Sequence, residues 1–272
     1  FDDDRDGVSS AGERVVLASE PGLNHGIAIH GGFVYASSAT TVFRWAFAPS
    51  DRGHLGTGRQ VVHGIPGTGH STRTLVFDGK GRLYVSIGSE GNVDPSTTRS
   101  LIRRFDLEDL PDGGLEASAG EVFASGLRNE VGLAFDALGT LWGVENGRDS
   151  LVRTDLGGDI HQGNPGEEVN RLDRAGGFYG YPYCFSEYAL PEGVGLGPGT
   201  SWADPGFLGD GTHDDAWCRD PARVVPPVLV LPAHNEPFRG LHARLDALTV
   251  GQNRAMDRLR RRLAEPRRAI DV

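Results

Sequence analysis

The sequence predicts an all-β fold, namely an incomplete β-propeller of roughly four blades plus the start of another. Two observations favour this fold. Glycine accounts for 40 of the 272 residues, without a Gly-X-Y period, as expected of many short strands joined by tight turns. A hairpin pattern also recurs along the chain with no crossover helix between its copies, which disfavours a parallel α/β sheet.

The recurring hairpin reads LVFDGKGRLYVSIGS at residues 75–89 and LAFDALGTLWGVENG at residues 133–147. A shorter copy, IAIHGGFVYASS, occupies residues 27–38. Each copy has an apolar run, a turn that contains glycine and an alternating second run, which is typical of a β-hairpin. The copies begin 48 and 58 residues apart, a spacing that fits propeller blades. A β-sandwich is the competing fold, but it does not predict the same hairpin in each copy.

Further strands are expected to complete the blades. The segments 40–47, 100–107 and 150–156 would each supply a third strand. Residues 167–190 and the apolar run 224–232 would begin further blades. A closed propeller needs its full ring to remove open sheet edges, so this count suggests that the chain is a fragment.

The C-terminal segment departs from the blade pattern. Residues 1–242 are predicted to form the partial propeller domain, and residues 243–272 an arginine-rich tail. Met256, Leu259 and Leu263 in the tail have helical spacing. The tail is therefore predicted to be a short helix or a disordered end rather than a blade.

The charge balance and the hydropathy pattern argue against two kinds of partner. The chain has 27 Lys and Arg against 37 Asp and Glu, a formal net charge of -10, which disfavours nucleic acid. No apolar run approaches the roughly 18 residues that a transmembrane helix needs, so no membrane span is expected.

Cys184 and Cys218 are the only cysteines, and a Gly- and Pro-rich stretch at 191–211 separates them. Neither belongs to a C-x-x-C pair, which argues against a zinc site. A disulfide that closes this loop is predicted, with two unrelated buried thiols as the alternative. A disulfide would imply an oxidising compartment, so the protein is expected to be secreted or periplasmic.

A histidine and an arginine occupy equivalent positions of the repeat. His70 lies five residues before Leu75 at the start of one copy. Arg128 lies five residues before Leu133 in the next, and Asn129 follows it. Because the loops entering the first strands of propeller blades lie on one face around the axis, we expect these polar residues to surround one pocket. These residue types fit a planar anionic ligand, because arginine can hydrogen-bond to carboxylates and histidine titrates near neutral pH. The plainer alternatives are a turn-stabilising histidine and an arginine in a structural ion pair.

The chain also carries the motifs GHSTRTLVFDGKGRLYVSIGS, GLRNEVGLAFD, LWGVENG, EEVNRL and GGFYGYPYC. In this order they resemble the soluble glucose/sorbosone dehydrogenase family. NHGIAIHGGFVYASSATTVFRW and YGYPYCFSEY are most similar to its sorbosone and fungal pyranose dehydrogenase branch, and the resemblance spans roughly residues 22–240. It implies a six-bladed propeller that binds pyrroloquinoline quinone (PQQ) and calcium. The implied reaction oxidises a sugar or sugar aldehyde by hydride transfer to the quinone, with an external electron acceptor.

The resemblance also implies roles for individual residues. His70 matches the general base that takes a proton from the sugar hydroxyl. Arg128 and Asn129 match residues that contact the quinone. Gly147 and Arg148 match the residues whose backbone carbonyls bind the calcium ion.

Two features depart from the family pattern. Nineteen positions after the base, the bacterial glucose enzymes have an aspartate that orients it, whereas this chain has Ser89, with Asp94 as a candidate substitute. The pattern also ends after about Gly240, where the family carries basic residues for the cofactor's carboxylates. An inactive fragment is therefore one expectation.

Two other functions stay open on the sequence. A calcium-dependent, lactonase-like hydrolase would need carboxylate and asparagine ligands converging on the axis, where this chain is expected to place His70 and Arg128. A non-catalytic propeller that binds sugar or protein through its face is the other alternative.

Overall fold

The computed structural model describes residues 4–8 and 10–233. The strands are β1 (Leu23–His30), β2 (Phe33–Ser38), β3 (Val42–Ala46), β4 (Arg59–His63), β5 (Leu75–Phe77), β6 (Leu83–Ile87), β7 (Leu101–Phe105), β8 (Leu115–Glu116), β9 (Glu121–Ser125), β10 (Glu130–Phe135), β11 (Leu141–Glu145), β12 (Val152–Arg153), β13 (Gly158–Asp159), β14 (Glu167–Leu172), β15 (Gly177–Phe178), β16 (Cys184–Ser186), β17 (Ser201–Ala203) and β18 (Leu229–Leu231). The helices are one short α-helix, α1 (Asp215–Cys218), and the 3-10 helices Ala11–Glu13, Ala117–Ala119 and Thr154–Leu156. No helix in these two described ranges has the length and hydropathy to cross a membrane.

Three sheets contain the four-stranded antiparallel meander of a propeller blade. Blade 1 has the order β1-β2-β3-β4, blade 2 the order β5-β6-β7-β9 and blade 3 the order β10-β11-β14-β18. A short strand extends two of these sheets in parallel, since β8 pairs with β4 and β15 pairs with β9. Two small sheets, β12-β13 and β16-β17, lie outside the blades.

The first strands of successive blades lie against one another. β1 contacts β5, and β5 contacts β10. Sheets that meet through their first strands are arranged around a common axis, as in a propeller. The predicted all-β, incomplete propeller is confirmed, and within residues 10–233 it has three four-stranded blades.

The third strand of blade 3 is not the predicted segment 150–156. In that segment β12 pairs with β13, and the strand that pairs with β11 is β14. Leu151 and Leu156 give the segment its strand-like apolar pattern. They pack instead into a separate small core with Phe185 and Trp202.

The prediction that 167–190 and 224–232 begin new blades is also wrong. β14 is the third strand of blade 3, and β18 pairs with β14 as the fourth. Long insertions are the reason, because residues 146–166 separate β11 from β14 and residues 173–228 separate β14 from β18. The predicted tail at 243–272 lies outside the described residues, and the domain boundary at 242 stays a prediction.

The repeated Phe-Asp motif closes the hairpin turn. Asp78 and Asp136 occupy equivalent positions, and each carboxylate accepts hydrogen bonds from two backbone amides of its own turn. The aromatic residue six positions later donates to the same carboxylate, Tyr84 to Asp78 at 3.3 Å and Trp142 to Asp136 at 3.0 Å. The motif recurs because one aspartate both shapes the turn and anchors the second strand.

Two hydrophobic cores fill the spaces between the blades. Val62 and Leu83 are fully buried in the core between blades 1 and 2. Ile102 and Leu141 are buried in the core between blades 2 and 3. Burying a large aliphatic side chain contributes about 1.5–3 kcal/mol, so these cores hold the blades, and the loops at their ends, in a fixed relation.

Cys184 and Cys218 form the predicted disulfide, with their Cα atoms 5.7 Å apart. The alternative of two unrelated thiols is therefore wrong. The disulfide joins β16 to α1. The buried side chain of Arg153 also contacts this helix, because it donates to the Asp215 carboxylate at 2.6 Å.

Candidate active site

Four loops meet at one end of the three blades. They are 64–74 before β5, 88–100 after β6, 126–129 before β10 and 146–166 after β11. The backbone amide of Ser89 donates to the carbonyl of Arg128 at 2.8 Å, and the amide of Asn146 donates to the carbonyl of Asn129 at 3.1 Å. The structure thus places Arg128 and Asn129 on the same face as the loop that carries His70.

Two glycines make room for His70. Gly69 has a φ of +67°, and a Cβ there would lie 2.3 Å from the carbonyl oxygen of Glu90. A Cβ on Gly88 would lie 2.6 Å from the Cβ of His70. A side chain at either position would displace the loop, so this placement of His70 depends on both glycines.

Arg73 holds the His70 loop from inside the propeller. Its side chain is fully buried. The guanidinium donates to four backbone carbonyls, those of Ala39 at 3.1 Å, Pro66 at 2.6 Å, His70 at 2.7 Å and Thr72 at 2.7 Å. Burial, together with the charge of Arg99, lowers the pKa of Arg73 to about 10, so it stays charged at neutral pH. Sequence reasoning missed this residue, whose signal was an arginine two residues before an apolar strand.

The imidazole of His70 is half-buried and faces Ser89. Its Nδ1 lies 2.9 Å from Ser89 Oγ and 3.1 Å from the Ser89 carbonyl oxygen. Burial, and then the positive charge of Arg128, lower the pKa of His70 below its usual 6.5. The ring is therefore neutral at pH 7 and can accept a proton.

Arg128 is a buried cation that joins two loops. The residue is 5% exposed. Its guanidinium donates to the Asn92 carbonyl at 3.2 Å, to Asn92 Oδ1 at 3.1 Å and to the Gly147 carbonyl at 2.5 Å. Asp149 supplies a carboxylate at 3.3 Å. With a further contact to the Asn146 carbonyl at 3.4 Å, all five N–H groups of Arg128 are engaged, so an anionic ligand that hydrogen-bonds to it would replace one of these partners.

Asn129 presents a side-chain amide beside Arg128. The residue is half-buried, and its Oδ1 lies 3.0 Å from the position that a Cβ would take on Gly88. Within residues 4–8 and 10–233 this amide has no hydrogen-bond partner. It is therefore available to a ligand that contacts Arg128.

Gly147 and Arg148 begin the loop after β11. The amide of Gly147 donates to the Glu167 carboxylate at 2.8 Å, and its carbonyl accepts from Arg128. The Arg148 side chain turns towards the buried carboxylate of Asp204. The Gly147 carbonyl thus already faces a cation, so the arrangement does not fit a calcium ion at this oxygen unless Arg128 donates elsewhere.

Three glutamates lie side by side in blade 3. The strand register pairs Glu130 with Glu145, and Glu145 with Glu168. Burial, and then the neighbouring carboxylates, raise the pKa of Glu130 and of Glu145 well above the usual range. The described part of the chain nevertheless contains no group of three or more His, Cys, Asp or Glu side chains placed to hold a metal ion.

A family model described as TrAA12-like matches residues 1–244. The chain belongs to the TrAA12-like family. This TrAA12-like chain is 33% identical to the PQQ-dependent pyranose dehydrogenase of Coprinopsis cinerea over 244 residues, which covers 82% of the chain and 32% of that protein. It is 34% identical to the PQQ-dependent sugar dehydrogenase of Hypocrea jecorina, covering 82% of the chain and 55% of that protein.

Two solved structures show the same fold as this TrAA12-like chain. The calcium structure of the Trichoderma reesei family AA12 carbohydrate-active enzyme has a TM-score of 0.73 at 34% identity, covering 81% of this chain and 58% of that one. The holo form of the PQQ domain of Coprinopsis cinerea pyranose dehydrogenase has a TM-score of 0.72 at 32% identity, covering 80% and 57%. The resemblance to fungal pyranose dehydrogenases indicated by the motifs is confirmed. The chain spans between 32% and 55% of the length of the two curated relatives.

Proposed function

We propose that this chain carries the proton-accepting and quinone-contacting part of a PQQ-dependent sugar dehydrogenase. The observation that carries the proposal is the convergence of His70, Arg128 and Asn129 on one face, with Ser89 hydrogen-bonded to both His70 and Arg128. The family and the names of the relatives support this class of enzyme.

The residues on this face fit PQQ, a planar anion with several carboxylates. Arg128 supplies a buried positive charge, and the Asn129 side chain supplies an amide without a partner in the described part of the chain. A guanidinium and an amide together suit carboxylate and quinone oxygens. When bound, PQQ accepts the hydride that leaves the sugar carbon.

His70 takes the proton of the sugar hydroxyl. Its Nδ1 is engaged by Ser89, so the proton goes to Nε2. The alcohol becomes a carbonyl because its carbon loses a hydride and its oxygen loses a proton. The base must be neutral before the reaction, and burial together with Arg128 favours this state by lowering the His70 pKa.

Calcium is proposed to bind at the backbone carbonyls of Gly147 and Arg148. In the structure the Gly147 carbonyl accepts a hydrogen bond from Arg128 at 2.5 Å. Two cations at one oxygen repel each other, so calcium at this position requires Arg128 to leave it.

The proposed substrate is a sugar or a sugar aldehyde, and the proposed electron acceptor is an external one. The disulfide between Cys184 and Cys218 supports secretion, since disulfides persist in oxidising compartments.

Reconstitution of the full chain tests the proposal. PQQ binding is measured by equilibrium dialysis with and without calcium, and turnover by dye reduction with a panel of pyranoses and sugar aldehydes. We expect turnover that needs both PQQ and sugar. His70→Gln should lower it by about 10²–10⁴-fold without weakening PQQ binding, because it removes only the base. The exposed His54 gives the control variant His54→Gln.

Other outcomes would favour the alternatives. A folded chain that binds no PQQ would contradict the proposal and favour a non-catalytic propeller that binds sugar or protein. Calcium-dependent lactone hydrolysis without PQQ would favour the lactonase-like hydrolase.

A further inference from the structure

We propose that Ser89 is the positioning residue of His70: its hydroxyl oxygen accepts a hydrogen bond from Nδ1–H, fixes the ring as the Nδ1–H tautomer and leaves Nε2 free. This inference rests on the proposed function only in assigning a use to the free nitrogen. The tautomer itself follows from the hydrogen bonds around Ser89.

The direction of each hydrogen bond is determined by a backbone carbonyl. Ser89 Oγ lies 2.7 Å from the carbonyl oxygen of Gly91, which can only accept, so the hydroxyl donates its single proton there. Towards His70 Nδ1, at 2.9 Å, the same Oγ must then accept. Nδ1 therefore carries the proton.

A second, longer contact favours the same tautomer. His70 Nδ1 also lies 3.1 Å from the carbonyl oxygen of Ser89, another group that can only accept. A neutral imidazole has one protonated nitrogen, so protonation at Nδ1 leaves the Nε2 lone pair available.

The position of Ser89 is held by the neighbouring loops. The residue is fully buried. Its amide donates to the Arg128 carbonyl at 2.8 Å, and its carbonyl accepts from the His70 amide at 2.9 Å. The backbone of Ser89 thus ties the base to the residue proposed to contact the quinone, while its side chain orients the base.

Asp94 does not substitute for an orienting carboxylate. Its two carboxylate oxygens accept from the amides of Glu90 at 2.7 Å and Ser96 at 2.9 Å, within its own loop. The Nδ1 partner of His70 is therefore a neutral hydroxyl.

The tautomer of His70 can be measured on the full chain. Long-range proton–nitrogen correlation spectra of protein labelled with [15N]histidine distinguish Nδ1–H from Nε2–H, and the signal missing in His70→Gln assigns the residue. In the wild-type chain without cofactor we expect Nδ1–H. A wild-type His70 protonated at Nε2 would overturn the proposal, and the only variant this measurement needs is a folded His70→Gln chain for the assignment.

Variants test the contribution of the hydroxyl. Ser89→Ala should shift His70 towards a mixture of tautomers, whereas Ser89→Thr, which keeps a hydroxyl, should restore Nδ1–H. Ser96→Ala, a serine on the same loop that does not contact His70, is the control. An unchanged tautomer in folded Ser89→Ala would overturn the role of the hydroxyl.

Turnover separates this inference from the proposed function. With PQQ and sugar, Ser89→Ala should lower kcat on the order of 10-fold with KM nearly unchanged, and Ser89→Thr should recover most of the loss. Absence of turnover in the wild-type chain, with the Nδ1–H tautomer present, would contradict the dehydrogenase function and leave the positioning role intact. Full turnover in a Ser89→Ala chain with mixed tautomers would overturn the positioning role.

Discussion

Glu130 and Glu145 lie directly opposite each other on neighbouring strands of blade 3, and both are buried. The backbone amide of Arg128 donates to the Glu145 carboxyl. Neither carboxyl oxygen of Glu130 has a hydrogen-bond partner in the described part of the chain. Burial, and then the charge of Glu168, raise the pKa of Glu130 well above its usual range and so favour its neutral form.

The Glu130 carboxyl should make stability depend on pH. Its pKa is raised in the fold, so unfolding releases a proton above about pH 4.3, the ordinary glutamate pKa. The contribution of Glu130 to the free energy of unfolding therefore falls as the pH rises above that value. Glu130→Gln keeps the shape without the ionisation and should stabilise the chain by about 1–3 kcal/mol at pH 8, with little effect at pH 5.

Urea unfolding at both pH values measures this difference. The exposed Glu108 supplies the matched control, Glu108→Gln, which should have no effect. An effect of Glu130→Gln on the free energy of unfolding that is the same at pH 5 and pH 8 would contradict a raised pKa of this carboxyl.

Replacing Arg73 should release the loop that carries His70. Arg73→Met leaves four backbone carbonyls without their donor, and each buried unsatisfied group costs about 1–3 kcal/mol when water cannot replace the partner. Because water will reach part of the loop, we expect a loss of about 2–4 kcal/mol in the free energy of unfolding. Faster amide exchange at residues 64–74 should accompany it.

The half-exposed ion pair of Arg223 provides the control for this variant. Arg223→Met should change the free energy of unfolding by less than about 1 kcal/mol. Unchanged exchange at residues 64–74 in Arg73→Met would show that other contacts hold the loop.

Asp136 should stabilise the third blade through its turn. Burial favours the neutral acid, but hydrogen bonds from Trp142 and from the turn amides outweigh it and lower the Asp136 pKa. A carboxylate with a lowered pKa stabilises the fold above its unfolded pKa of about 3.9 and loses this effect in more acidic solution. Asp136→Ala should cost about 1–3 kcal/mol at pH 7 and less at pH 3.

Thermal unfolding at pH 7 and pH 3, followed by circular dichroism, measures the Asp136 contribution. Asp109→Ala, at an exposed position, is the control. A loss in Asp136→Ala that is the same at both pH values would mean that the ionised carboxylate is not the stabilising form.

Removal of the disulfide should destabilise the region around α1. The bond closes a loop with a sequence separation of 34 residues. In the chain-entropy model, a loop of this size contributes about 3–4 kcal/mol. The double variant Cys184→Ser with Cys218→Ser should therefore unfold at lower denaturant concentration, and reduction of the wild-type chain should reproduce the shift. A double variant as stable as the oxidised wild-type chain would contradict this.

Local chemistry accounts for the parts of the fold that could be predicted. The hairpins at residues 75–89 and 133–147 were recognisable because each turn is closed by its own aspartate and glycines, which act within a few residues. The grouping of His70 with Arg128 was predictable for the same reason, since equivalent positions of a repeat lie at equivalent places around the axis.

Long-range pairing accounts for the parts that could not be predicted. The apolar pattern of 150–156 does not reveal whether the segment joins a blade or a separate core, and the pairing of β14 with β18 spans a long insertion. Strand register decides that Glu130 lies opposite Glu145. Loop packing decides which carbonyls Arg73 binds and places the Ser89 hydroxyl beside His70.

The sequence by itself thus determined the propeller class, the repeated turns and the residues that share a register, because these depend on short-range patterns. Only the tertiary structure decided which strands complete blade 3, which carboxyl groups are buried together and which nitrogen of His70 holds a proton. Those properties depend on contacts between residues far apart in the chain, and the same local pattern is compatible with several such contacts.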